Sequence, residues 1–164
     1  MIFKPCSLIV TEETHDWCRL PYPDHPKGCP MYGTRDSCPP KAPMIGEILD
    51  LGQPTYVIAV EFNLKNHVAQ MKRLHPDWTD AQSRNPRYWQ STARKELKKE
   101  IEWVSIEIPN LFAVMRPEAH GVDLAKTIEK SLGIVLEFPP KNKAYQIAVM
   151  GTRKVSNKLS RCFE

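Results

Sequence analysis

Three cysteines, Cys18, Cys29 and Cys38, fall inside one short stretch of this chain, with ten residues between the first two and eight between the second two. The thiolate is the form of cysteine that attacks and that binds metal. Three thiolates suit an iron–sulfur cluster with one iron left for a different ligand, or a zinc ion completed by a histidine. The gaps fit neither the short knuckles of a zinc finger nor a thioredoxin-type pair. A disulfide framework is a poor account, because the five cysteines are odd in number and no secretory signal is readable at the N-terminus. Cys6, His15 and His25 are the candidates for a fourth ligand, and Cys162 is set aside because it lies in a basic tail.

The surroundings of these cysteines favour ligation. Pro21, Pro23, Pro26, Pro30, Pro39, Pro40 and Pro43 concentrate in the same segment and stiffen it. Gly28 and Gly33 allow the tight turns that would bring distant thiols together. Arg19, Lys27 and Arg35 would offset the charge of a thiolate cluster, and Lys27 and Arg35 are also candidates to position an anionic substrate. No phosphate-binding loop, dinucleotide fingerprint, nucleophile elbow or H-E-x-x-H motif is present, so hydrolase and nucleotide-binding readings have no motif behind them.

The motifs Cys29-Pro30-Met31-Tyr32-Gly33 and Ser37-Cys38-Pro39-Pro40 resemble the C-P-x-Y-G-x-x-x-x-C-P-P signature of a prokaryotic family of predicted metal-binding proteins of unknown function. Arg116-Pro117-Glu118-Ala119-His120-Gly121-Val122-Asp123 is similar to that family's later R-P-S-M-E-A-x-G-I-D-V element, with two residues missing after the proline. Family members commonly carry a second, ferredoxin-like cysteine cluster just before the later element. Residues 110–115 hold no cysteine here, so the resemblance implies one metal site rather than two, and it implies no known reaction.

The elements that must position these residues are legible in the hydrophobic pattern. A strand is expected over 3–10, and residues 11–43 read as one long irregular loop that a bound metal would order. A short helix is expected over 44–51 and a buried strand over 55–63. Leu64, Val68, Met71 and Leu74 mark a helix that Pro76 stops. A short helix is expected over 79–85. Trp89, Ala93, Leu97, Ile101 and Val104 mark a long helix opened by Pro86, whose many charges read as a solvated face. A strand follows over 110–115, and then a helix capped by Asp123 and closed by Gly133. Two further strands are expected over 134–138 and 144–150. Asp123 with Glu118 and His120 is a possible polar site, but a helix cap and an exposed turn explain these residues better.

With 164 residues the chain has the length of a single domain, and one α/β or α+β domain with a mixed sheet and packed helices is expected. The longest apolar run is too short to cross a bilayer, so no membrane association is expected. The net charge of +4 comes from residues 141–164, where Lys141, Lys143, Arg153, Lys154, Lys158 and Arg161 face only Glu164. The expected function is a cytoplasmic iron–sulfur protein, 4Fe–4S favoured, that passes electrons to a protein partner or activates a substrate or sulfur atom on its open iron. The alternative is a zinc-stabilised adaptor whose basic C-terminal segment contacts an acidic partner or nucleic acid, and a third reading is an RNA-binding accessory factor.

Overall fold

In the computed structural model, residues 1–21 and 25–155 are described. The chain is α+β. Among the described residues the strands are β1 (Ile2–Cys6), β2 (Thr55–Asn63), β3 (Leu111–Val114) and β4 (Lys143–Thr152). They form one sheet in the order β1-β2-β4-β3, and every neighbouring pair is antiparallel. The helices are α1 (Glu13–Asp16), α2 (Ile45–Ile48), α3 (Leu64–Leu74), α4 (Asp80–Ser83), α5 (Gln90–Glu107) and α6 (Leu124–Leu132).

The expectation of a mixed sheet is corrected. β2 and β3 run parallel and are joined through helices, as in a crossover unit, but β4 is inserted between them and runs against both. A split unit of this kind leaves no parallel pair in contact. β2 and β4 pair along their whole length, from Thr55 opposite Gly151 to Asn63 opposite Lys143. Both faces of this central pair are covered, which is why β2 reads as a nearly continuous apolar run instead of a clean alternation. Val57, Ala59, Ile147 and Val149 pack with Leu124 and Ile128 of α6 and with Ile45 and Leu49. On the other face Ile58, Val60, Ala148 and Met150 pack with Leu97 and Val104 of α5.

Local chemistry sets the helix ends. Asn63 accepts a hydrogen bond from the Asn66 N–H at the start of α3, and Asp123 does the same for Lys126 at the start of α6. Gly133 closes α6 in a left-handed conformation, φ 66°. Pro86 opens a separate 3₁₀ turn, Pro86–Tyr88, rather than α5 itself. Trp89 is buried between the two and donates through Nε1 to the Arg84 carbonyl.

Two further expectations are corrected. Residues 134–138 are not a strand. Ile134 and Leu136 turn toward the core and Val135 faces solvent, but Phe138, which alternation would turn inward, is exposed too, and the segment has no ladder partner among the described residues. Instead, Glu137 accepts from the backbone N–H groups of Lys141 and Asn142 and from Asn142 Nδ2, which curls the chain into a turn. Those three donors hold its carboxyl down to about 2. Nor are residues 11–43 one structureless loop. They hold α1, the 3₁₀ helix Trp17–Arg19 and a succession of backbone-bonded turns.

Truncating Leu97 to Ala, at a site 1% exposed, is expected to cost about 2–5 kcal/mol, read from urea denaturation. Phe138→Ser, at a side chain 97% exposed, is expected to stay within about 0.5 kcal/mol of the wild type. The Glu137 turn is expected to be intact above the ordinary carboxylate range and to loosen as pH falls from there toward about 2. The amide resonances of Lys141 and Asn142 would report that step, and Glu137→Gln would abolish it.

Candidate functional site

The cysteine-bearing segment is anchored before it begins. Asp123 N–H donates to the Ile9 carbonyl and Thr11 N–H to the Gly121 carbonyl, both at 2.8 Å, while Val10 bridges Val122. Thr127 Oγ1 accepts from Ile9 N–H. The chain then enters α1, which packs against the 3₁₀ helix Pro117–His120. Thr14 is buried there, its hydroxyl donating to the Thr11 carbonyl.

Two cysteines meet at a close crossing of the backbone. Cys29 N–H donates to the Cys18 carbonyl at 2.7 Å. Gly28 sits at this crossing with φ 81°, and a Cβ there would lie 2.5 Å from the Cys18 carbonyl oxygen and 2.7 Å from Arg19 Cα. Only glycine meets both the left-handed conformation and the close approach. Cys38 is buried, and its carbonyl accepts from the N–H groups of Lys41 and Ala42. Gly33 N–H bonds the Pro39 carbonyl at 2.7 Å and folds the Cys29 and Cys38 turns onto each other. The Cys18 thiol is pushed above its ordinary value, first by burial and then by the neighbouring Cys29, Cys38 and Glu118. Among the described residues, no three His, Cys, Asp or Glu side chains are gathered so as to hold a metal ion as they stand. Ligation by this set requires at least that the thiols turn toward a common point.

The proposed fourth ligands separate. Cys6 lies on edge strand β1, where its thiol faces Thr55 Oγ1 at 3.9 Å and Thr55 donates in turn to the Cys6 carbonyl at 2.7 Å. Burial pushes that thiol up as well. The hollows beside Cys6 are lined by Ser7, Pro54 and Thr55 and by none of the other cysteines, so the fold does not bring Cys6 to them. His15 is better placed. It precedes Cys18 by three residues within one continuous right-handed turn, a spacing that sets two side chains on the same face. Its Nε2 is buried and has no hydrogen-bond partner among the described residues. His25 contributes its carbonyl, which accepts from Gly28 N–H.

Lys27 and Arg35 are exposed and line none of the hollows around the cysteines. The basic C-terminal segment is not one patch where it is described. Lys143 pairs with Glu61 at 3.0 Å, Arg153 lies 4.9 Å over the Phe112 ring, and Lys154 donates to the Gly46 carbonyl. Lys158, Arg161 and Cys162 lie outside the described residues. Asp123 serves as the α6 cap and pairs with Lys126, while His120 Nδ1 meets the Pro43 carbonyl at 2.7 Å, so these two do not join Glu118 in one site.

Cys18 and Cys29 open into a cleft of about 770 Å³, walled by Trp17, Leu124, Leu136 and Phe138, a size ordinary for small-molecule sites. Glu118 lines it too. The Glu118 residue keeps solvent contact because it borders a hollow, yet surrounding protein pushes its carboxyl upward. No family model, curated protein or solved structure matches this chain. The segments 29–40 and 116–123, distant in sequence, reach the same cleft through Cys29 and Glu118.

Glu118 was not singled out as a neighbour of the thiols by spacing alone. In the 3₁₀ helix Pro117–His120 it is the exposed position between buried Pro117 and Ala119.

Gly28→Ala is expected to force the Cys18 and Cys29 backbones apart and to destabilise the chain by about 1–3 kcal/mol. Faster reaction of the thiols with an aromatic disulfide reagent, compared with Gly33→Ala, where a Cβ meets nothing within 4 Å, would report the opening.

Proposed function

We propose that this chain is a metal-binding protein whose centre is held by Cys18, Cys29 and Cys38, with an iron–sulfur cluster, 4Fe–4S favoured, as the group bound. The observation that carries the reading is the Cys18–Cys29 crossing, with Cys38 close enough to act on the Cys18 thiol. Nothing in the packing of an ordinary core calls for two cysteines at one backbone crossing with a third on the turn folded against it. All three are unbridged, and so is Cys6, as suits a reducing, cytoplasmic setting.

A cluster bound there would supply one-electron transfer or an iron open to a substrate atom. The chain's own residues supply the rest. Burial of Cys38 keeps one ligand away from solvent, and Trp17 and Leu124 wall the thiols on the cleft side. Arg19, next to Cys18 in the chain, pairs with Asp16 at 3.7 Å and lies 6.0 Å from the Tyr32 ring centre. The cleft gives a substrate or the edge of a protein redox partner access to Cys18 and Cys29.

A second reading is favoured by His15. Its unpartnered Nε2, on the same face of the turn as Cys18, suits zinc held by three cysteines and one histidine. The protein would then be a binding or adaptor unit whose metal fastens the 11–43 segment, with an acidic protein or nucleic acid as partner.

Protein purified without oxygen is expected to be brown, to absorb near about 400 nm through thiolate-to-iron charge transfer, and to contain iron. Cys18→Ala, Cys29→Ala and Cys38→Ala should each remove most of the metal, while Cys6→Ala should not. Colourless protein with one zinc, lost on His15→Ala, would select the second reading, and metal content surviving all three cysteine changes would refute both. Metal uptake should release protons and weaken as pH falls, since the proton competes for each thiolate.

A further inference from the structure

β3 pairs with β4 only from Val149 to Thr152. Below that point β4 has β2 on one side and, among the described residues, no strand on the other. The gap is a hollow of about 570 Å³ floored by Tyr145, Gln146 and Ile147. It continues into the thiol cleft, sharing Gln90, Glu118, Leu124, Leu136 and Phe138 with it.

Three cations converge on this hollow. Arg94 and Lys98 stand one turn apart on the flank of α5, and Arg116 follows the end of β3. None of them has an ion-pair partner among the described residues, unlike Lys72, Arg84, Lys126 and Lys143. Like charges one helical turn apart repel, and adding a third from another element compounds this. Glu118 is the one acidic side chain lining the hollow among the described residues. It lines the thiol cleft as well and forms no ion pair with any of the three cations. Leu124, Leu136 and Phe138 give the same hollow an apolar lining, and the Phe138 ring is almost wholly bare to water at 97% exposure. A concave surface that combines unneutralised positive charge with an uncovered aromatic ring is complementary to a ligand with an anionic head and an apolar body.

We propose that this cleft binds a small organic anion, its acidic head held by Arg94, Lys98 and Arg116 and its apolar body resting on Leu136 and Phe138. The far end of such a ligand points past Glu118 toward Cys18 and Cys29. The site is built from α5, β4 and the 116–138 region, and it does not depend on a metal at the cysteines.

Calorimetric titration of the full chain at low salt tests this, with phenyl phosphate and benzoate as probes and benzyl alcohol and inorganic phosphate as controls. At least one aromatic anion is expected to bind tenfold or more tightly than both controls. Lys98→Gln and Arg116→Gln are each expected to weaken it roughly tenfold, and Phe138→Ser to bring phenyl phosphate down toward inorganic phosphate. Lys4→Gln, on edge strand β1, should leave binding unchanged. The proposal is overturned if neither aromatic anion outbinds benzyl alcohol, or if Lys4→Gln weakens binding as much as Arg116→Gln does. The first result would mean that charge plays no part, and the second that only the protein's overall charge does.

Discussion

The pairing of β2 with β4 governs the rest of the molecule. The two strands lie far apart in sequence, yet they match residue for residue along all of β2, and both of their faces are buried. Burial on both sides fixes the register, because a slip by one residue would exchange the α5-facing and α6-facing sets. Once that register is set, α5 lies on one face, α2 and α6 on the other, and β3 can reach only the last turn of β4. The short reach of β3 is what leaves room for the cleft.

Much of this was legible in the residues. The β2 run, the α3 and α5 stripes, the Asp123 cap and the Gly133 stop each follow from a local rule that tertiary packing did not override. The insertion of β4 between β2 and β3 was not legible, since pairing partners distant in sequence leave no local mark. The 134–138 segment shows why alternation alone is an incomplete signal. The alternation holds through Leu136 and fails at Phe138, a strand also needs a neighbour, and Glu137 gathers the nearby N–H groups instead.

At the site, the cysteine spacing and Gly28 pointed to a convergence of chain, and Gly28 does sit where Cys18 and Cys29 cross. Closeness in sequence misled in the case of Cys6. The last residues before a loop are near it in sequence, but a strand end is fixed by its ladder, and β1 holds Cys6 against Thr55. The charges of α5 read as a solvated face because a helical stripe reveals which side is apolar and not which flank borders a hollow. Arg94 and Lys98 gain their meaning only from Arg116, which arrives from a different element.

The short antiparallel seam between residues 9–11 and 121–123 ties the start of the cysteine segment to the start of α6. Gly121, in a left-handed conformation at φ 84°, lies there with the Met44 side chain packed where a Cβ would go, so the far end of the same segment is pinned at the same place. Both ends of a stretch of some thirty residues are thus clasped by a single tripeptide. The segment behaves as a closed ring hung from one clasp: a graft that carried the cysteines into another scaffold without that tripeptide would arrive open, and changes on either side of the clasp would have to be inherited together.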